Sequence, residues 1–243
     1  MSSEPQTPPP RATGVASASD GGTRDGSSVD RVEESVRDKI LSGAYPPGSR
    51  LILSRLAAEH GVSFIPIREG LQRLESERLV EMQPNRGARV AEISIADMRD
   101  IYETRVVLEQ HAIRTAIPKF TAENLKTALN ALERMEDRFA ANRQPEAYQA
   151  HQAFHFALYE PAGSVWTMHV IRQLWASAER YMRLAAGVRP APQLFVAEHR
   201  QIFDAVASRD IEAAAESLIA NLRTTEKLLT ENYESVPHRF DGT

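Results

Sequence analysis

The sequence predicts a mostly α-helical protein, in which a small N-terminal domain of three helices and a β-hairpin precedes an antiparallel all-α bundle of about six helices. Apolar residues at helical spacing, such as Val32, Val36 and Ile40, recur along most of the chain. One short segment, residues 79–93, instead has the pattern of two strands around a tight turn. Long amphipathic segments separated by brief breaks containing Pro and Gly indicate neighbouring antiparallel helices.

Composition narrows the classes of protein to which this chain can belong. Its 243 residues contain no cysteine, which excludes disulfide scaffolds, thiolate zinc sites and cysteine nucleophiles. No apolar run is long enough to span a bilayer, and the N-terminus lacks the features of a secretory signal, so we expect a cytoplasmic protein without membrane contact. The net charge of −4 argues mildly against nucleic acid, so any DNA contact must depend on a local element.

Changes in composition divide the chain into four predicted segments. Residues 1–28 are rich in Pro, Ser, Gly and Thr and nearly lack large aliphatic residues, so we expect a disordered tail. We predict a first folded domain over residues 29–93, an all-helical second domain over 94–234, and a short tail over 235–243.

The first domain contains clear start and stop signals. Gly43, a Pro-Pro-Gly turn and Gly61 end helices, and Ser63 is placed to cap the next one. These signals predict helices over residues 29–41, 53–60 and 63–78, then strands over 79–83 and 88–93 around a turn at 84–87. Three helices followed by a hairpin is the order of a winged helix-turn-helix.

The second domain is predicted to be wholly helical. Capping residues such as Ser94 and Thr121 open helices, and Pro118 and Pro161 end them. The predicted helices span residues 94–117, 121–142, 145–159, 165–186, 193–208 and 211–233.

Polar residues near the start of the third helix make it a candidate for base recognition. In a helix-turn-helix, the second helix of the motif enters the major groove and presents its N-terminal residues to base edges. Ser63 and Arg68 hold that position here, and Arg86 with Gly87 offers a cation on the tight turn of the wing. The alternative is a winged helix that docks onto another protein and leaves its arginines solvated.

Four stretches of this domain resemble the DNA-binding domain of the GntR family: ILSGAYPPGSRL at 40–51, LAAEHGVS at 56–63, PIREGLQRLE at 66–75 and PNRGA at 84–88. The resemblance covers nearly all of residues 29–92 and implies that operator DNA is contacted by Ser63, Arg68, Arg86 and Gly87. Where the family usually has Arg-Thr or Arg-Ser after the serine, this chain has Phe64 and Ile65. Apolar groups thereby replace two expected polar DNA contacts. Phe64 could pack against a thymine methyl, or it could weaken binding.

The helical part resembles the FCD effector domain of FadR-type members of the same family, over about residues 97–230. This resemblance rests on IYETRVVLE at 101–109, FHFAL at 154–158 and EHRQIFDAV at 198–206. It implies a divalent metal site, which in the family is built from an aspartate and three histidines. This chain has His155 and His199 where the family has histidine, His151 in place of the aspartate and Asn221 in place of the last histidine.

Helical spacing also indicates that these polar residues converge. His151 and His155 are four residues apart and share a helix face, while His199 and Asn221 each lie on the apolar stripe of a later helix. A buried imidazole needs a metal, an anion or a hydrogen-bond partner. Three imidazoles suit a divalent ion such as zinc or nickel, and the alternative is a metal-free polar pocket that binds the effector directly.

Arg105 lies on an apolar stripe, and a buried arginine requires an anionic partner. That partner is a glutamate of the protein, either Glu109 one helical turn later or the nearby Glu103, or it is the carboxylate of an effector, which a guanidinium binds with two hydrogen bonds. The resemblance favours an effector that is a small organic acid. Tyr148 and Arg180 are further candidates for the effector site.

These features predict a ligand-responsive transcription regulator rather than an enzyme. We expect a homodimeric repressor that leaves a palindromic double-stranded operator when its effector binds. The competing hypothesis is a metal-dependent enzyme that uses His151, His155 and His199. That hypothesis lacks a well-placed general base and does not explain the winged helix.

Overall fold

The computed structural model of the chain describes residues 27–84, 86–184 and 192–235. Most of the tails predicted over residues 1–28 and 235–243, the wing residue Asn85 and the predicted helix end at 185–186 lie outside the described residues. The inner tail bounds were wrong, because Ser27 caps the first helix, Ser28 begins it, and the last helix continues to Ser235. Three helices with a small sheet are followed by six further long helices, so the predicted fold class is confirmed.

The first domain consists of three helices and a three-stranded antiparallel sheet. The helices are α1 (Ser28–Leu41), α2 (Leu53–His60) and α3 (Phe64–Ser76). The strands are β1 (Arg50–Leu51), β2 (Val80–Gln83) and β3 (Gly87–Val90), in the order β1-β3-β2. Strands β2 and β3 form the predicted wing, in a register that pairs Val80 with Val90.

Strand β1 was missed by the sequence analysis. It is two residues long, so no alternation of apolar and polar residues could indicate it. It forms because the turn before it brings the backbone beside β3, where the Val90 amide donates to the Ser49 carbonyl (2.9 Å). The strand connects β3, the second strand of the wing, to the segment between α1 and α2.

The core of the first domain lies between α1, α3 and the sheet. Apolar residues at helical spacing in α1 and α3 meet side chains of the strands, and all of them are buried. The core residues are Val32, Val36, Ile40, Leu41, Leu51, Leu56, Ile67, Leu71, Leu74, Leu79, Val80, Ala88 and Val90. Because the inner face of α3 is held in this core, its outer face is presented in a defined orientation.

Two local details of α3 differ from the prediction. The helix ends at Ser76 rather than at Arg78, because Arg78 takes the left-handed conformation with φ of 58° and turns the chain into β2. Ser63 occupies the N-cap position as predicted, but its side chain makes no capping hydrogen bond.

The wing needs a glycine at position 87. Gly87 has φ of +88°, a conformation that side chains disfavour, and an added Cβ would lie 3.0 Å from the Leu51 carbonyl oxygen. Gly87 therefore has a structural role in the hairpin in addition to the predicted contact with DNA.

The second domain contains the six predicted helices. They are α4 (Ile95–Ala116), α5 (Ala122–Ala140), α6 (Gln144–Tyr159), α7 (Val165–Leu184), α8 (Pro192–Ala207) and α9 (Ile211–Ser235). Short 3-10 turns at Ile117–Lys119 and Glu160–Ala162 follow α4 and α6, where the prolines interrupt the helical ladder.

Helix packing in this domain surrounds a polar centre with apolar residues. Helix α5 packs on α6, while α9 packs on both α4 and α8. The large fully buried side chains include Tyr102, Phe154 and Trp175. Polar residues are buried among them on α4, α6 and α8, namely Arg105, Glu109, His151, His155 and His199. Burial of such polar groups is costly unless partners compensate for the lost solvation.

Candidate functional site

The outward face of α3 carries the residues predicted to contact DNA. Ser63 is at its N-cap and is followed by Phe64 and Ile65, whose side chains are 54% and 68% exposed. Arg68 lies one turn further along the helix and lines an open cleft between α3 and the wing. Arg86 and Gly87 line the same cleft from the wing, so the structure brings Arg68, Arg86 and Gly87 together, while Ser63, Phe64 and Ile65 lie at the start of α3 and do not line the cleft.

The arginines of this domain differ in whether they have protein partners. Arg37 is paired with Glu33 and Glu77, and Arg73 is paired with Asp30 and Glu33. By contrast, the side chains of Arg68 and Arg86 form no ion pair or hydrogen bond with any residue that the structure describes. Two uncompensated cations beside an exposed helix N-terminus suit a polyanion such as the DNA backbone.

Three histidines converge in the interior of the second domain. The Nε2 atom of His155, on α6, lies 3.1 Å from Nε2 of His151, on the same helix, and 3.2 Å from Nε2 of His199, on α8. The ligand nitrogens of the three rings all lie within 4.8 Å of one another. Two nitrogens bound at about 2.1 Å to one tetrahedral ion are about 3.4 Å apart, so this spacing fits a shared metal.

Hydrogen bonds to the Nδ1 atoms of His155 and His199 leave the Nε2 atoms of both rings facing the centre of the cluster. Nδ1 of His199 must carry its proton, because it donates to the Phe195 carbonyl (2.6 Å). Nδ1 of His155 lies 3.0 Å from the Tyr159 hydroxyl, which in turn donates to Glu109 (2.6 Å). Since that hydroxyl proton is already used, Nδ1 of His155 is the donor. The Nε2 lone pairs of His155 and His199 therefore point toward each other, which is unfavourable without a cation or proton between them.

Burial controls the protonation of this network. Desolvation, followed by the nearby charges of His199 and Arg105, lowers the pKa of His155 well below its ordinary value. The imidazole is therefore neutral at physiological pH, the form that binds metals. Desolvation and the Glu109 carboxylate raise the pKa of Tyr159 well above its ordinary value, so the hydroxyl keeps the proton that it donates.

The anionic partner of Arg105 in the structure is Glu109, one of the partners that the sequence analysis offered. Its Nε donates to the Glu109 carboxylate (2.7 Å), which also accepts from Nε1 of Trp175 (3.0 Å). The guanidinium carbon lies 4.2 Å from the centre of the Trp175 ring. Among the described residues, none accepts a hydrogen bond from the two Nη atoms, so the effector role of Arg105 stays a prediction that this geometry permits.

Comparison with known proteins identifies both parts of the chain. The family model named "Bacterial regulatory proteins, gntR family" matches residues 28–90, and the FCD domain model matches residues 100–224. The chain belongs to the GntR family of transcription regulators. Its FCD domain fits the FadR subfamily.

Several relatives span most of this GntR regulator. The HTH-type transcriptional regulator BphR of Paraburkholderia xenovorans is 31% identical over 206 residues, which cover 81% of this chain and 83% of BphR. The HTH-type transcriptional repressor GlaR of Escherichia coli is 28% identical over 199 residues, which cover 78% of this chain and 90% of GlaR. The crystal structure of a GntR transcriptional regulator from Rhodococcus has a TM-score of 0.71 at 26% identity and covers 87% of this chain and 100% of that chain.

These relatives decide between the functional hypotheses. The family models and the similar proteins are all transcription regulators, so the GntR chain is a DNA-binding regulator and the hypothesis of a metal-dependent enzyme is not supported. No helix in the described part of the chain is both long and apolar enough to cross a bilayer.

Three predicted site residues of the GntR regulator have protein partners of their own. Asn221 is buried, and its amide nitrogen donates to Glu198 (2.9 Å), which precedes His199 in the chain. The Tyr148 hydroxyl donates to the Met182 carbonyl (3.0 Å). The hydrogen bonds of Arg180 go to Arg78, Asp97 and Tyr181. The roles of Asn221 as a metal ligand and of Tyr148 and Arg180 as effector ligands stay predictions.

The contacts of Arg180 connect the two domains of the GntR regulator. Arg180, on α7, donates to the Arg78 carbonyl (3.2 Å) and to Asp97 (2.9 Å). Ser177, one turn earlier on α7, donates to the Glu77 carbonyl (3.1 Å). Glu77 is the C-cap of α3 and Arg78 follows it, so α7 is hydrogen-bonded to the turn that connects α3 to β2.

Sequence reasoning missed Tyr159 and Trp175. Tyr159 follows His155 by four residues and therefore shares its helix face, a signal that extending the histidine stripe by one turn would have found. Trp175 lies on α7, and only the packing of α7 against α4 and α6 brings its ring to 5.0 Å from that of His155. Nothing in the local sequence around Trp175 indicates this contact.

Proposed function

We propose that this GntR regulator is a homodimeric repressor that is released from a palindromic operator when a small carboxylate metabolite binds inside its FCD domain. The proposal depends on one observation, the convergence of three buried imidazoles next to the buried Arg105. Trp175 packs against both groups, since its ring lies 5.0 Å from that of His155 and 4.2 Å from the guanidinium carbon. Burying several imidazoles beside a guanidinium costs free energy, and a bound ligand or metal would compensate for the lost solvation.

A divalent metal, zinc or nickel, is the proposed cofactor at this cluster. His151, His155 and His199 would hold it, and the amide oxygen of Asn221 is the family-based candidate for a further position. The metal would supply a positive centre for the effector carboxylate. The Nη atoms of Arg105 would add a second cationic contact, which favours a small organic acid as effector.

Repression and dimerisation are supported by comparison and by symmetry. GlaR is named as a repressor, and it is similar over 78% of this chain. A palindromic operator presents two half-sites, so its recognition requires two copies of α3 related by a two-fold axis. An effector that changes the distance between these copies would weaken DNA binding.

Helix α7 is the proposed route from the effector site to DNA. Trp175 lies at the histidine cluster, while Ser177 and Arg180 bond the residues that end α3. A shift of α7 on effector binding would therefore move the recognition helix. To act as a switch, the effector must favour one arrangement by a few kcal/mol, about the range of known allosteric coupling.

Metal content and DNA release test the proposal together. The protein, purified without chelators, should contain about one zinc or nickel ion per chain. An operator duplex is obtained by selection from a random-sequence pool, and a panel of small carboxylic acids is added while duplex binding is followed by fluorescence anisotropy. We expect His155→Ala to lose the metal and to bind the duplex as tightly as the wild type, but to resist release by the acid.

His169→Ala is the matched control for this experiment. His169 is an exposed histidine on α7 whose nearest ring is Trp166, so its loss should change neither metal content nor release. Full metal content in His155→Ala would exclude the proposed metal site. Release of His155→Ala at the same acid concentration as the wild type would exclude this pocket as the effector site.

A further inference from the structure

Large apolar side chains are exposed at the start of the recognition helix. In the described part of the first domain, only Ile52, Phe64 and Ile65 are large apolar residues with exposed side chains, at 55%, 54% and 68%. Phe64 and Ile65 are the first two residues of α3. The residues of α3 that build the core, Ile67, Leu71 and Leu74, are all fully buried. The fold therefore does not require apolar residues at positions 64 and 65.

The surroundings of this pair favour DNA as its partner. Phe64, Arg68 and Gln72 are spaced by four residues and share one face of α3. Arg68 and Gln72 line the cleft toward the wing, where Arg86 adds a second arginine without a partner among the described residues. An apolar patch flanked by uncompensated cations suits a partner that combines phosphates with apolar groups, which the major groove of DNA does.

Thymine offers the one apolar group among the base edges of the major groove, its C5 methyl. We propose that Phe64 and Ile65 contact thymine methyl groups, so that this regulator selects thymines at the operator positions that face the start of α3. The inference rests on the operator recognition proposed above. It also explains why exposed apolar side chains occupy the helix positions nearest the bases.

Replacement of thymidine by deoxyuridine tests this contact, because it removes the methyl and leaves every hydrogen-bonding group in place. Duplexes enriched by the wild type from a random-sequence pool are made with thymidine and with deoxyuridine. We expect the deoxyuridine duplex to bind about fourfold more weakly for each contacted methyl, the effect of burying one carbon group. Phe64→Ala/Ile65→Ala should bind both duplexes equally, and its thermal unfolding should match the wild type because both side chains are exposed.

Arg68→Ala is the control that separates charge from methyl contact. It should weaken binding of both duplexes and keep the ratio between them. Equal binding of the two duplexes by the wild type would overturn the thymine contact and leave operator recognition intact. Failure to enrich any duplex would instead contradict the proposed operator recognition and this inference with it. Loss of thymine enrichment when the pool is selected with Phe64→Ala/Ile65→Ala would confirm the contact from the protein side.

Discussion

At the scale of single residues, Tyr159 joins the histidine cluster to a buried ion pair. Its hydroxyl accepts from Nδ1 of His155 (3.0 Å) and donates to Glu109 (2.6 Å), the partner of Arg105. Residues that hydrogen-bond a metal-binding imidazole set its tautomer and orientation. Tyr159 is therefore a positioning residue for His155 rather than a ligand.

Tyr159→Phe removes this hydroxyl without changing the shape of the side chain. We expect metal affinity to fall by about 10- to 100-fold, as for other residues that orient metal ligands. Folding stability should fall by about 1–3 kcal/mol, because buried polar groups lose a partner. Competition with a zinc indicator and urea denaturation measure the two effects.

Tyr148→Phe is the matched control, since the Tyr148 hydroxyl bonds a backbone carbonyl, that of Met182. It should cost stability but not metal affinity. Unchanged metal affinity in Tyr159→Phe would contradict the positioning role.

At the scale of secondary structure elements, α7 serves both domains. Trp175, at the middle of the helix, lies against the histidine cluster. Ser177 and Arg180, later on the same helix, donate to the carbonyls of the two residues that follow α3. The Ser94 side chain accepts from the Asp97 amide at the start of α4, but the Asp97 carboxylate does not complete a capping box. That carboxylate instead accepts hydrogen bonds from Arg180 and Tyr181 on α7. The environment of Tyr181 raises its pKa to about 12, mainly through burial, so the hydroxyl stays a donor to Asp97.

Arg180→Ala should loosen the recognition helix from the sensing domain. Without effector, we expect faster amide hydrogen exchange over residues 77–83, because the Arg78 carbonyl loses its hydrogen bond to α7 and only the bond from Ser177 to the Glu77 carbonyl is left of this pair. Effector binding changes DNA affinity by about 5- to 150-fold in typical allosteric proteins. In Arg180→Ala, we expect the ratio of DNA affinities without and with effector to fall toward one.

Arg183→Ala provides the comparison, because Arg183 lies on the same helix and its one ion-pair partner among the described residues is Glu179, one turn earlier. It should change neither measurement. If Arg180→Ala exchanges and responds like the wild type, α7 does not couple the domains through this contact.

At the scale of the whole molecule, charge is distributed unevenly. The net charge of −4 argues mildly against binding to nucleic acid, yet the chain is a DNA-binding regulator. The structure accounts for this, because acidic residues pair with arginines such as Arg37 and Arg73, while Arg68 and Arg86 have no acidic partner among the described residues. The field at the contact surface, rather than the sum of charges, governs association.

The salt dependence of operator binding should report this distribution. A protein that neutralises phosphates releases counterions, so the logarithm of its binding constant falls linearly with the logarithm of salt concentration. Arg86→Ala should reduce that slope by about one and weaken binding to all sequences alike. Arg73→Ala, which removes an arginine already paired with Asp30 and Glu33, should leave the slope unchanged. An equal slope for Arg86→Ala and the wild type would show that the wing arginine does not contact phosphate.

The sequence by itself determined the helices of both domains and the surface that holds the predicted DNA contacts. Helical periodicity, caps and breaks at Pro and Gly are local signals, so each predicted helix is present, with described ends within two residues of those expected. The four-residue spacing of His151 and His155 likewise predicted a shared face, because it depends on helix geometry alone.

Only the tertiary structure decided which groups meet across helices. The partner of Arg105, the network of Tyr159 and Trp175 and the position of Arg180 at the junction of the domains depend on how each helix is rotated and packed. Helix rotation follows from the burial of apolar faces by the whole core, to which each residue adds little by itself. Local sequence therefore locates helices and faces, while packing selects the partners that give the buried polar groups their function.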